Sequence, residues 1–131
     1  MKRILLSCFL LVATVGITTV LPAAAHAAPA GIPVTQAAFN TKVNQMDAHI
    51  AAGNMTAAQA TWQEVHNMML SVLAASKTNI QGAATPAASA TFMTVLDNQT
   101  ALYNTIWGLK PDLAANRAAI HAKLGEFSLT I

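Results

Sequence analysis

The chain has 131 residues, 54% of them hydrophobic and 9% charged, with seven Lys and Arg against five Asp and Glu. Lys2 and Arg3 hold two of the seven bases, which leaves Lys42, Lys77, Lys110, Arg117 and Lys123 facing Asp47, Glu64, Asp97, Asp112 and Glu126. That near-neutral remainder has no basic patch for nucleic acid and no net charge with which to hold an anionic membrane.

The N-terminus opens with Lys2-Arg3, runs uncharged from Ile4 to Leu21 and ends in PAAAHAAPA, where Ala25-His26-Ala27 is an A-x-A site. A positive start, an apolar run and a small-residue cut site predict a secretory signal peptide over residues 1–27. Cleavage is expected after Ala27, with Ala25 as the next choice. The apolar run is almost long enough to span a bilayer, but Pro22 and the alanine-rich site point to removal and to no span in the mature chain. The protein is thus expected to be exported, to the periplasm or outside. Cys8, the sole cysteine, leaves with the leader, so the mature chain has no disulfide, thiolate metal site or thiol nucleophile. Residues 28–34, with Pro29, Gly31 and Pro33, read as a flexible linker. Residues 35–131 are long enough for one domain that must be held by packing alone.

The domain reads as four helices, because Ala is abundant, β-branched residues do not run together and no stretch alternates with period two. The first is expected over Gln36 to Ala52, with Thr35 as N-cap and Phe39, Val43, Met46 and Ile50 as one apolar stripe. Gly53 suits the left-handed position that ends it. The second is expected over Ala57 to Ile80, opened by a capping box at Thr56-Ala-Ala-Gln59. Its stripe is Trp62, Val65, Met69, Val72 and Leu73, and Gly82 and Thr85 mark the loop after it. The third is expected over Pro86 to Leu109, with Thr85 at the N-cap and Pro86 at N1. Phe92, Val95, Leu96, Leu102, Tyr103, Ile106 and Leu109 give it the widest apolar face, so it is expected to be the most buried. The fourth is expected over Pro111 to Phe127, with Pro111 at N1, Asp112 in the positive first turn and Leu113, Ile120, Leu124 and Phe127 as the stripe. Short connections after the first and third helices make two hairpins, and two hairpins make an all-α, up-down-up-down antiparallel four-helix bundle. The hairpins also resemble each other, with Val65-His66-x-x-Met69 matching Ile120-His121-x-x-Leu124.

Several chemistries lack their residues. There is no Glu-x-x-His for a di-iron bundle, no Cys-x-x-Cys-His for covalent haem, no nucleophile elbow and no phosphate loop. An enzyme is not expected. Two histidine settings remain. His66 with Met69, and Met46 with His49, are three-residue pairs that place imidazole beside thioether, a combination suited to copper or haem iron. Thioethers more often fill core gaps, and the two histidines are offset by about 12 Å along the bundle at 1.5 Å per residue. His66 and His121 are the second setting. On pseudo-equivalent hairpins they would sit at similar heights, either facing a planar cofactor or flanking the core half exposed. Trp62 and Trp107 read as core or groove aromatics. Of Asn98-Gln99, one amide is expected to enter the core and fix register.

The size, export and "NRAAIHAKL" histidine near the C-terminus resemble periplasmic cytochrome b562-like proteins. That resemblance implies axial ligation of haem by His121 and Met46, although Met46 lies further into helix 1 than the family's methionine. "MTAAQ", Met55 to Gln59, resembles the Leu-Thr-x-x-Gln motif of Spy-like periplasmic chaperones, and implies binding of unfolded clients. The expectation from the residues themselves is an exported, cofactor-free bundle. Its role is binding or structural rather than catalytic, in the cell envelope or outside, with an unidentified protein or small ligand as partner. The alternatives are a haem or copper carrier using His66, His121, Met46, Met69 or His49, and a chaperone.

Overall fold

The computed structural model describes residues 33–131. The leader at residues 1–27 and the linker up to residue 32 lie outside the described residues.

Four helices make up the described chain: α1 (Gln36–Ala51), α2 (Met55–Gln81), α3 (Pro86–Leu109) and α4 (Arg117–Ser128). Each packs on the next, and α4 packs back on α1, which closes the bundle. The apolar stripe of α1 is buried as spaced, at Phe39, Val43, Met46 and Ile50. Thr35 is extended, and its hydroxyl accepts from the Ala38 N–H at 3.2 Å. Gly53, at φ 72°, turns the chain sharply enough that the Asn54 N–H reaches back to the His49 carbonyl at 2.9 Å.

The start of α2 departs from the expected capping box. Asn54 is the N-cap, and its Oδ1 accepts from the Ala57 N–H at 3.2 Å. The Gly53 turn needs only one residue before the helix resumes, so Thr56 already lies inside the first turn and is exposed. The buried face of α2 keeps Trp62, Val65, Met69 and Val72 of the expected stripe, leaves Leu73 half-buried and adds Ala58, Thr61, His66 and Ser76, of which His66 and Ser76 face α3.

The third helix has the expected bounds and the expected Thr85 cap, but it is not the most buried. Only Gln99, Leu102 and Ile106 are buried on it, while Phe92, Val95, Leu96, Tyr103 and Leu109 are half-buried. The reason is length. The helices α2 and α3 have 27 and 24 residues, whereas α1 and α4 have 16 and 12. At about 1.5 Å per residue, α4 covers roughly half of α3. Its end is tied near the middle of α3, where Gln99 Nε2 donates to the Thr130 carbonyl at 3.1 Å. The first residue of α1 meets the same end, with Gln36 Nε2 donating to the Ser128 carbonyl at 3.0 Å. The loop-proximal part of the α2–α3 pair therefore extends past the other two helices.

The fourth helix is shorter than expected. Pro111, which has no N–H to donate, sits in a 3-10 turn at Lys110–Asp112. Asp112 Oδ1 accepts from the Ala115 N–H at 2.8 Å, and Asn116 Nδ2 donates to the Leu109 carbonyl at 2.9 Å. These side chains satisfy the backbone without a helix, so α4 begins only at Arg117, and Leu113 is buried from the turn.

The core sits where all four helices overlap. Phe39 and Phe127 join α1 to α4 with ring centroids 5.6 Å apart, and Trp62, Met46, Met69, Ile106, Ile120 and Leu124 fill the space between. Among the described residues no helix is long and apolar enough to cross a membrane.

Candidate functional site

The densest chemistry lies on the seam between α2 and α3, around His66. On α2, Trp62 and His66 are four residues apart and share a face. On α3, Tyr103 and Trp107 have the same spacing. The four rings meet. His66 lies nearly parallel to Trp62, at 9° and 6.3 Å between centroids, and its ring is 5.8 Å from Tyr103 and 4.9 Å from Trp107. His66 Nε2 and Tyr103 Oη are 2.9 Å apart. In the tautomer with its proton on Nδ1, the imidazole accepts the phenolic proton.

Depth differs sharply across this cluster. Trp62 and His66 are 1% and 3% exposed, Tyr103 is half-buried and Trp107 is 41% exposed. Burial pushes the Tyr103 phenol above its ordinary pKa. Lys110, one turn beyond Trp107, holds its ammonium 4.3 Å from the indole centroid, close enough for a cation–π contact. The Trp62 indole N–H is buried with no hydrogen-bond partner among the described residues.

His121 occupies a different seam, between α4 and α1. Its Nδ1 lies 3.9 Å from Asp47, which is paired with Arg117 through two hydrogen bonds of 2.7 and 2.8 Å. That fork holds the Asp47 carboxyl below its ordinary range, against the opposing effect of burial. The same hydrogen bond raises Arg117. Asp47, Arg117 and His121 border a groove of about 500 Å³ whose remaining walls are alanines of the α3–α4 turn and α4.

The expected site residues are therefore dispersed. His66 and His121 do not sit on matching shoulders: His66 is buried between α2 and α3, whereas the His121 side chain is 48% exposed beside α1. The stripe residues around them do correspond, since Val65, Met69, Ile120 and Leu124 are all buried. Met46 and Met69 are core side chains, 1% and 0% exposed, and His49 is half-buried near the end of α1. Among the described residues no three His, Cys, Asp or Glu side chains are grouped to hold a metal ion.

Sequence reasoning placed His66 but not its partners. Trp62-x-x-x-His66 and Tyr103-x-x-x-Trp107 are both four-residue aromatic spacings on consecutive helices, and that pairing was the available signal. No family model matches the chain, and no curated protein or solved structure matches it.

Proposed function

We propose that the protein is an exported, non-catalytic binding protein, an up-down-up-down antiparallel bundle whose ligand face is the aromatic cluster of the α2–α3 seam. The observation that carries this reading is Trp107, 41% exposed yet held among His66, Tyr103 and Lys110. An aromatic side chain fixed by its neighbours binds at low entropic cost, and such residues dominate binding energy at interfaces. A flat apolar ligand with an acidic substituent fits this surface, with the indole for the ring and Lys110 for the acid. The short, near-parallel Trp62, His66 and Tyr103 layer beneath it supplies rigidity. The N-terminal charge, apolar run and cut site support export.

Metal-free protoporphyrin is a suitable probe. In a Trp62→Phe variant the emission comes from Trp107 alone, since the chain has two tryptophans. Saturable one-to-one quenching is expected, and binding followed by the porphyrin's own absorption should be lost in a Trp107→Ala chain that keeps its helical circular dichroism. Absence of saturable quenching would count against the binding face. Export is tested separately by N-terminal sequencing of protein from a secreting bacterium. A start at residue 28 or 26 is expected, and retention of Met1 inside the cell would refute the leader.

A further inference from the structure

Resting on that reading of the aromatic face, we infer that the ligand is a ferric iron porphyrin and that Tyr103 is the residue that coordinates its iron. A phenolate is a hard, anionic oxygen donor, and tyrosine is an established axial ligand of haem iron. A phenol becomes such a donor only when its proton has somewhere to go. His66 Nε2, 2.9 Å from Tyr103 Oη, is that acceptor. The Trp62 ring at 9° holds the imidazole plane, and His66 is 3% exposed.

The geometry assigns different roles to the two residues. Tyr103 is half-buried, while His66 lies behind it with Nε2 engaged by the hydroxyl. Of the pair, Tyr103 is the residue with surface left to solvent, so it is the one placed to meet an incoming iron. The Oη–H bond breaks, the proton passes to Nε2, and the phenolate oxygen bonds iron in place of a water. The imidazolium N–H then donates back to that oxygen. The iron stays ferric and no electron moves. Tyr103 is the ligand and His66 a positioning residue that raises the donor strength of the oxygen.

The residues that follow, on α3 and in the turn after it, complete the fit. Trp107 presents an exposed indole 6.1 Å from the Tyr103 ring and within 15° of its plane, a wall for one edge of a macrocycle. Lys110 follows with an ammonium on a flexible stem, in reach of a propionate. A porphyrin brings four nitrogen ligands of its own. This suits a site with one oxygen donor. His121 and Met46, on the α1–α4 seam and in the core, are not needed.

The test is a titration of ferric protoporphyrin IX into the protein purified from secreting cells, followed by absorption and resonance Raman spectra. One-to-one binding with phenolate vibrations is expected. Tyr103→Phe, which removes a single oxygen, should abolish those vibrations and keep the far-ultraviolet dichroism. His66→Phe should weaken ferric binding about 10- to 100-fold, and His121→Ala should bind as the parent does. Unchanged spectra in Tyr103→Phe, a low-spin histidine-ligated spectrum, equal binding of ferric citrate, or no ferric porphyrin binding would each overturn the inference. Metal-free protoporphyrin binding that persists in any of those cases leaves the proposed binding face standing.

Discussion

Gln99 carries the most informative single substitution. Its side chain is 1% exposed, and its amide joins three segments. Ser76 Oγ on α2 donates to Gln99 Oε1 at 2.7 Å, and Gln99 Nε2 donates to the Thr130 carbonyl at 3.1 Å. Gln99→Met keeps the length and removes both bonds. Each lost bond costs about 0.5 to 1.5 kcal/mol net, and the Ser76 hydroxyl, in a residue 8% exposed, then adds part of a desolvation penalty of about 1 to 3 kcal/mol. Methionine regains some apolar transfer energy, so a net loss of about 2 to 3 kcal/mol is expected. For a domain of this size that lowers Tm by roughly 10 to 20 °C. Urea unfolding followed by circular dichroism measures it, together with Ser76→Ala and the double variant. Ser76→Ala alone leaves Oε1 short of a donor, whereas in the Met background it removes only a stranded hydroxyl. The cycle should therefore show coupling of about 1 kcal/mol. A Gln99→Met chain as stable as its parent, or strict additivity in the cycle, would refute this account of the latch.

Three further outcomes are expected. Asn54→Ala should cost about 1 kcal/mol in thermal or urea unfolding, because Asn54 caps α2, while Thr56→Ala should change stability little; the reverse order would restore the Thr56 capping box. Gly53→Ala should cost roughly 1 kcal/mol through the backbone alone, because φ is 72° and no atom lies within 4 Å of an added Cβ; calorimetry showing an unchanged Tm would contradict that conformation. Asp47 has a folded pKa held down by Arg117, so its contribution is present above the ordinary carboxylate pKa near 3.9 and is lost as pH falls through the lower folded value. Acid titration of stability should therefore be shallower below about pH 4 in Asp47→Asn than in the parent, and added salt should shrink the difference because the pair is exposed.

Much of the fold was legible because helical periodicity and capping are local. The stripe from Phe39 to Ile50 is the buried face of α1, and Thr85-Pro86 starts α3 where the spacing places it. One amide of Asn98-Gln99 does enter the core. The errors arose where a local rule had a competitor. Asn54 outranked Thr56 because the preceding turn ended sooner, and Asp112 with Asn116 satisfied the turn after Pro111 without a helix.

The candidate site was less legible. His66 was visible as a residue of interest, but besides Trp62 its ring neighbours Tyr103 and Trp107 belong to another helix, 37 or more positions away. A histidine beside a methionine in sequence proved to be a histidine beside a tyrosine in space.

By itself the sequence determined the number of helices, their caps in outline and the face each one buries, because those follow from side chains three and four residues apart. It equally determined the near-neutral charge of the chain after Arg3. Only the tertiary structure decided how far each helix is covered, and so why the widest apolar face, on α3, is half-exposed. It also decided which histidine lies inside and what it touches. Burial and cross-helix contact depend on the lengths and registers of partner helices, and a single helix does not encode those of its neighbours.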